Sequence, residues 1–141
     1  MQFFQSEGYQ TFAHTVFRVG VGAAYFTHGG QKLFGWFNGV DGSGGTANLM
    51  SMYGAAGVIE FTLGLLVVVG LFTRIAAFIA AGEMAAAYFI VHVAGGGLFW
   101  WGNRGELAMV FCFAMLALSA WGAGQLSADA AMSKNRSGGG R

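Results

Sequence analysis

The chain has 141 residues, of which 55% are hydrophobic and only 9% are charged, with a formal net charge of +1. A soluble domain carries about 25% charged residues, so this composition excludes an ordinary water-facing surface and favours a surface that meets lipid. The near-neutral charge argues against a nucleic-acid partner. One cysteine, Cys112, excludes a two-cysteine redox centre within the chain.

Four apolar segments are long enough to form membrane-spanning helices, because each span requires roughly 20 apolar residues. In chain order they cover residues 12–34, 53–72, 75–94 and 106–123. A glycine-rich flexible loop is expected at 38–45, and a second loop at 95–105. We therefore predict an all-α fold, an integral membrane four-helix transmembrane bundle in residues 1–127, followed by a polar, disordered tail at 128–141.

The distribution of lysine and arginine predicts the orientation in the membrane. One end of the predicted bundle has Lys32 and Arg104, whereas the other end has Arg74 and the cations of the tail, Lys134, Arg136 and Arg141. Cytoplasmic segments carry the excess of these residues. Both termini are therefore predicted to lie in the cytoplasm.

Charged side chains within the predicted spans need partners, because a charge at the centre of a bilayer costs about 2.5–3.5 kcal/mol. A rise of 1.5 Å per residue places Arg18 about 9 Å, and Glu83 about 12 Å, from the cytoplasmic side. These similar depths predict a structural ion pair between Arg18 and Glu83 that sets the register of the helices.

A second group of polar side chains lies nearer the outer side. His28 and Glu60 are about 9 and 10 Å from that side, Lys32 follows His28 by one helical turn, and Tyr25 shares the face of Lys32. Ionisable residues within spans are candidates for function. We interpret His28, Lys32, Glu60 and Tyr25 as ligand-binding residues, with room for the ligand left by nearby glycines, Gly29, Gly57 and Gly64. The alternative is a Lys32–Glu60 salt bridge, capped by His28, without a ligand.

The sequence predicts no catalytic residue, no metal site and no intrinsic cofactor, since it has no nucleotide, flavin, haem-attachment or metal motif. His92 follows Glu83 by nine residues, and 100° per residue places the two on opposite sides of the third helix. We therefore expect His92 to face lipid headgroups or a partner protein rather than to join His28 around a haem.

Several segments together resemble the DoxX-like family of small four-helix membrane proteins. The first, at residues 18–37, reads RVGVGAAYFTHGGQKLFGWF, in which an arginine and small residues precede a Gly-x-Lys-like end. The second, at 57–74, reads GVIEFTLGLLVVVGLFTR, and shorter matches are EMAAA at 83–87 and NRGELA at 103–108. Arg104 stands where the family pattern has glycine, which predicts a different loop shape there.

The resemblance implies an inner-membrane protein and links some relatives to quinone-reducing thiosulfate oxidation, as a small subunit. We therefore expect an accessory subunit of a membrane redox complex that borders a quinone site and has no activity on its own. Lys32 or His28 would donate a hydrogen bond to a quinone carbonyl, and Glu60 would accept a proton. Another membrane or membrane-associated protein would supply the electrons.

The competing interpretation is a structural membrane anchor or assembly protein without a ligand. A quinone site requires polar side chains beside an apolar cavity that is open to lipid, whereas an anchor requires a closed, fully packed core. A small transporter is disfavoured because the sequence has no internal inverted repeat.

Overall fold

The computed structural model describes residues 1–138, and this part of the chain is helical and has no β-strand. Its helices are α1 (Glu7–Phe34), α2 (Met52–Val69), α3 (Thr73–Gly96), α4 (Glu106–Trp121) and α5 (Ala128–Gly138). Single helical turns lie at Gln2–Gln5, Trp36–Asn38 and Trp100–Asn103. Ser6 and Ser51 begin α1 and α2, because each hydroxyl accepts a hydrogen bond from the backbone N–H three residues later.

Two of the described helices are long and apolar enough to cross a membrane, namely α2 with 18 residues and α3 with 24. α4 is apolar but has only 16 residues. α1 has 28 residues, but Arg18, His28 and Lys32 lie along its length. The all-α prediction is therefore confirmed, together with two candidate membrane-spanning helices, and crossing by α1 and α4 stays a prediction.

The bundle consists of two helix pairs, because α1 packs mainly along α2 and α3 packs mainly along α4. Glycines bring the first pair together. A Cβ added at Gly29 would lie 2.3 Å from the backbone nitrogen of Phe61, and one at Gly64 would lie 2.6 Å from that of Phe26. Such close approach requires residues without side chains. Our expectation that these glycines leave room for a ligand is wrong, because the neighbouring helix fills the space.

The apolar core lies between the two pairs and centres on α3. Small side chains of α3 form one side of it, Ala76, Ala77, Ala80 and Ala81. The other helices contribute larger side chains with no exposed surface, Tyr25, Val67, Met115 and Leu118. The alanines let the second helix pair approach the first, since small residues permit close packing of helices in lipid.

Arg18 is buried at the end of the bundle where α2 ends, and it does not pair with Glu83. Its guanidinium donates to the carbonyls of Val67 and Val68, at 3.1 and 2.9 Å, and to that of Leu126 at 2.7 Å. The predicted Arg18–Glu83 ion pair is therefore wrong. The depth estimate assumed that all helices start in one plane, whereas α1 projects beyond the end of α2. Glu83 lies ten residues along α3, which is about 15 Å from its start.

Two further side chains close the same end. The Asp129 carboxylate accepts hydrogen bonds from the backbone N–H groups of Phe72 and Thr73, at 2.8 and 3.0 Å, and so caps the start of α3. Arg74 donates to the carbonyls of Ser119, Ala120 and Trp121 at the end of α4. Each group satisfies backbone atoms that a helix terminus leaves without an internal partner.

The start of the C-terminal segment is docked on this end rather than disordered. Besides its carboxylate contacts, Asp129 donates its backbone N–H to the carbonyl of Gly70 at 2.9 Å. Residues 128–138 form α5, so the expectation of a disordered tail does not hold for them. The remainder of that prediction, residues 139–141, lies outside the described residues.

The loop between α1 and α2 is organised around Asp41. Its carboxylate accepts hydrogen bonds from the backbone N–H groups of Ser43 and Gly45, both at 2.9 Å. These bonds stabilise the ionised form and lower the pKa of Asp41 to about 2. The loop that we expected to be flexible therefore has a defined hydrogen-bonded turn at the opposite end of the bundle from Asp129.

Candidate functional site

A cavity of about 410 Å³ lies between the two helix pairs, near the end where α1 finishes and α4 begins. Helices α1, α2, α3 and α4 contribute to its wall. Most of its lining is apolar, and small side chains of α2 and α3 form facing surfaces, Ala55, Ala56, Ala86 and Ala87. Its ionisable and phenolic side chains are Tyr25, His28, Lys32, Tyr53, Glu60, Glu83, His92 and Arg104. The structure thus brings the four predicted ligand-binding residues, His28, Lys32, Glu60 and Tyr25, to one cavity.

Lys32 and Glu60 form a salt bridge in the cavity wall. The Lys32 Nζ donates to Glu60 Oε1 at 2.8 Å and to Oε2 at 2.5 Å. The Glu60 side chain is 4% exposed and that of Lys32 is 17% exposed. The bridge joins α1 to α2 beside the close contact at Gly57, where a Cβ would meet the Lys32 side chain at 2.9 Å. The salt bridge that sequence reasoning held as the alternative is therefore present, but beside a cavity rather than in a packed core.

Tyr25 and Glu83 form a second polar contact, across the two helix pairs. Tyr25 has no exposed surface, and its hydroxyl donates to Glu83 Oε2 at 2.9 Å. Within residues 1–138, Glu83 makes no ion pair and its Oε1 makes no hydrogen bond to another side chain or backbone group. Sequence reasoning missed its position here. We had paired Glu83 with Arg18. Tyr25 follows Arg18 by seven residues on the same face of α1, and this spacing was the signal that Tyr25 could contact Glu83 instead.

Phe111 of α4 forms an aromatic wall beside these polar groups. The His28 and Phe111 ring centroids are 5.6 Å apart with an interplanar angle of 85°, and Tyr25 also contacts Phe111 edge to face at 5.7 Å. Edge-to-face contacts hold aromatic rings in defined orientations. Phe111 therefore orients both His28 and Tyr25 at the cavity, a role that the sequence did not indicate.

A π-helical turn in α3, at Tyr88–Val93, places His92 in the cavity wall. Such a turn bonds each N–H to the fifth preceding residue rather than the fourth, so side chains in and beyond it point in new directions. The His92 Nδ1 lies 3.2 Å from the carbonyl oxygen of Asn103. Our prediction that His92 faces lipid headgroups or a partner protein, opposite Glu83, is wrong because it assumed a regular α-helix throughout.

The chain is similar to known proteins over most of its length. The DoxX family profile matches residues 13–93, which is more than half of the chain. The chain belongs to the DoxX family. A protein of Haemophilus influenzae, described as an uncharacterized protein, is 37% identical over 126 residues, covering 87% of this chain and 92% of that protein. No solved structure matches the chain.

The DoxX match contains most of the polar cavity wall. Tyr25, His28, Lys32, Glu60 and Glu83 all fall within residues 13–93. DoxX proteins are membrane-associated, which agrees with the two candidate membrane-spanning helices of this chain. Most of the polar part of the site in this DoxX protein therefore lies within the region that defines the family match.

Most of the exposed residues that line the cavity of this DoxX protein are apolar. Met52 of α2, Ile90 of α3 and Leu107 of α4 line the cavity, and between 51% and 57% of each residue is exposed. Arg104, which is also exposed, and Tyr53, which is 51% exposed, line the cavity beside them. The polar groups of the cavity are thus bordered mainly by exposed apolar side chains.

Proposed function

We propose that this DoxX protein is an accessory subunit of a membrane redox complex and that its cavity holds the head group of a quinone. The observation that carries the proposal is the cavity itself, which combines polar side chains from α1, α2 and α3 with a lining that is otherwise mostly apolar. Its volume of about 410 Å³ falls in the range of small-molecule sites, which are lined mainly by apolar groups with a few polar ones. A purely structural anchor would have a packed core at this position.

The chemistry of the wall suits a flat ring that carries oxygen atoms at opposite ends. Lys32 places two of its hydrogen bonds on Glu60, and an ammonium has three donors, so one is left for a ligand oxygen. His28 lies beside Phe111 on the same wall and offers a second polar group. Apolar substituents of the ring would leave between Met52 and Ile90. A partner subunit would supply or remove the electrons.

Filling the cavity should abolish quinone binding without unfolding the protein. Ala56→Leu adds three carbon atoms at a half-buried position in the wall, and we expect the affinity for tetramethyl-1,4-benzoquinone to fall at least about tenfold. Binding would be measured by equilibrium dialysis against lipid nanodiscs, with empty nanodiscs subtracted. Ala85→Leu is the matched control, because Ala85 is also half-buried but does not line the cavity. Equal loss in both variants, or no binding by the parent protein, would refute the proposal.

The proposal includes an inner-membrane location with four crossings and both termini in the cytoplasm. It is supported by Arg74, at the start of α3, and by Lys134 and Arg136 of α5, because α5 begins where Asp129 caps α3. We expect a cytoplasm-active reporter to work at the C-terminus and to fail in the loop at 38–45, with an exterior-active reporter giving the reverse. A C-terminal reporter active only outside the cytoplasm would overturn this orientation.

A further inference from the structure

We infer that the cavity selects the hydroquinone, with its two hydroxyl groups, over the corresponding quinone, and that Glu83 is the residue that accepts the ligand's hydroxyl. The inference rests on the proposed function, since it concerns which redox form of a quinone-type head group the same cavity holds. It requires no electron transfer within the chain. It follows from the difference between the two carboxylates in the wall.

Glu60 is already satisfied by its protein partner. Both of its oxygens accept hydrogen bonds from the Lys32 ammonium, and its side chain is 4% exposed. Opposite charge and two hydrogen bonds leave this carboxylate little capacity for a ligand. The Lys32–Glu60 pair therefore presents a donor to the cavity, namely the remaining N–H of Lys32.

Glu83 is the contrasting carboxylate. Tyr25 occupies Oε2, but Oε1 has no hydrogen-bond partner among residues 1–138, and no cation lies within salt-bridge distance of the group in that range. Glu83 is half-buried and lines the cavity. Because the Tyr25 hydroxyl donates to Oε2, the Oε1 atom of this cavity-lining carboxylate remains available to accept a hydrogen bond from a ligand. Donor and acceptor thus come from opposite helix pairs, Lys32 from α1 and Glu83 from α3.

A quinone and a hydroquinone satisfy this pair of groups differently. A quinone has two carbonyl acceptors and no donor. One of its oxygens would therefore face the Glu83 carboxylate, and neither of these two oxygens could donate a hydrogen bond to the other. A hydroquinone hydroxyl donates to Glu83, while its other hydroxyl accepts from Lys32. A site that hydrogen-bonds a substrate hydroxyl discriminates against the analogue that lacks it, because the site's own polar group is then unpaired.

The test compares tetramethylhydroquinone, kept reduced by dithionite, with tetramethyl-1,4-benzoquinone, using the full chain in nanodiscs. We expect the parent protein to bind the hydroquinone at least about tenfold more tightly. Glu83→Gln should remove or reverse this preference, because Tyr25 would hold the amide oxygen and the amide N–H₂ would then donate into the cavity. The control is Glu106→Gln, an exposed carboxylate at the start of α4 that does not line the cavity, and it should keep the preference.

The outcomes separate the inference from the proposed function. If the parent protein binds neither form, the proposed quinone site fails. If it binds both forms equally, or the quinone more tightly, the site stands and the selectivity inference is wrong. If Glu83→Gln keeps the preference, Glu83 is not the acceptor. Should that variant fold poorly, the parent protein provides a second test with the dimethyl ether of tetramethylhydroquinone, which has no hydroxyl to donate and should bind at least about tenfold more weakly than the hydroquinone. Equally tight binding of the ether would overturn the inference.

Discussion

Replacing Lys32 with methionine should lower the free energy of unfolding by about 3–5 kcal/mol, the usual cost of removing one partner from a buried ion pair. The reason is that Glu60, only 3% exposed, would lose both of the hydrogen bonds that its carboxylate accepts. Methionine retains most of the length of the lysine side chain, so the packing beside Gly57 changes little. The measurement is an unfolding titration with SDS in mixed micelles, followed by far-UV circular dichroism.

The double variant distinguishes lost charge pairing from lost packing. Adding Glu60→Gln to Lys32→Met should restore part of the stability, because a neutral amide is less costly to bury without a partner than a carboxylate. Arg104→Met is the control, since Arg104 is an exposed cation on the same cavity wall with no salt bridge within residues 1–138. If Lys32→Met were no more destabilising than Arg104→Met, the pair would contribute nothing to stability.

Gly29→Ala should destabilise the protein by about 1–3 kcal/mol, the range found for overpacking a close contact. The new Cβ would lie 2.3 Å from the Phe61 nitrogen and 2.8 Å from the Gly57 oxygen, so the obstacle is backbone that cannot rotate away. Relief requires α1 and α2 to separate along their length. That movement would also lengthen the Lys32–Glu60 contact, which lies on the same pair of helices.

Gly20→Ala in the same helix is the matched control. A Cβ at Gly20 would meet nothing within 4 Å, so the substitution should be neutral or stabilise the helix by about 0.5–1 kcal/mol. The two variants are compared by the fraction of protein that remains in the monodisperse peak after heating in detergent. Similar losses in both would mean that helix separation at Gly29 is not what limits stability.

The α1–α2 part of the site could be predicted from the sequence because it depends on one local rule. Residues three, four and seven apart share a helix face, so His28, Lys32 and Tyr25 of α1 were correctly assigned to one side, with Glu60 opposite them. The nearby glycines have the reverse of the expected consequence, because they form a close helix contact rather than leaving room for a ligand. The close contact between α1 and α2 leaves no space for a ligand at their interface. The cavity lies between the two helix pairs instead.

The wrong predictions have a common physical origin. How far one helix is shifted along another depends on how the helices pack, and the sequence of a single segment does not contain that information. The depths of Arg18 and Glu83 were counted from the ends of the predicted spans. However, α1 begins at Glu7, and its first turns extend beyond the end of α2. The placement of His92 failed because a regular α-helix was assumed where α3 has a π turn, at Tyr88–Val93. α5 was missed because its docking depends on Asp129 reaching backbone groups 56 and 57 residues away in the chain.

The π turn also means that the number of residues in α3 can change without breaking the helix, and such a change would alter the site. A π turn accommodates one residue more than an α turn, so a deletion within 88–93 could be absorbed by reverting to regular helix, without a break in α3. Glu83 precedes the turn and would keep its position, whereas every side chain after it would rotate relative to the cavity. Among related proteins, a one-residue difference in this segment would therefore exchange the group at His92 while leaving the Tyr25–Glu83 contact intact. Alignments of this region would then need to allow a gap inside a helix, where gaps are normally penalised most.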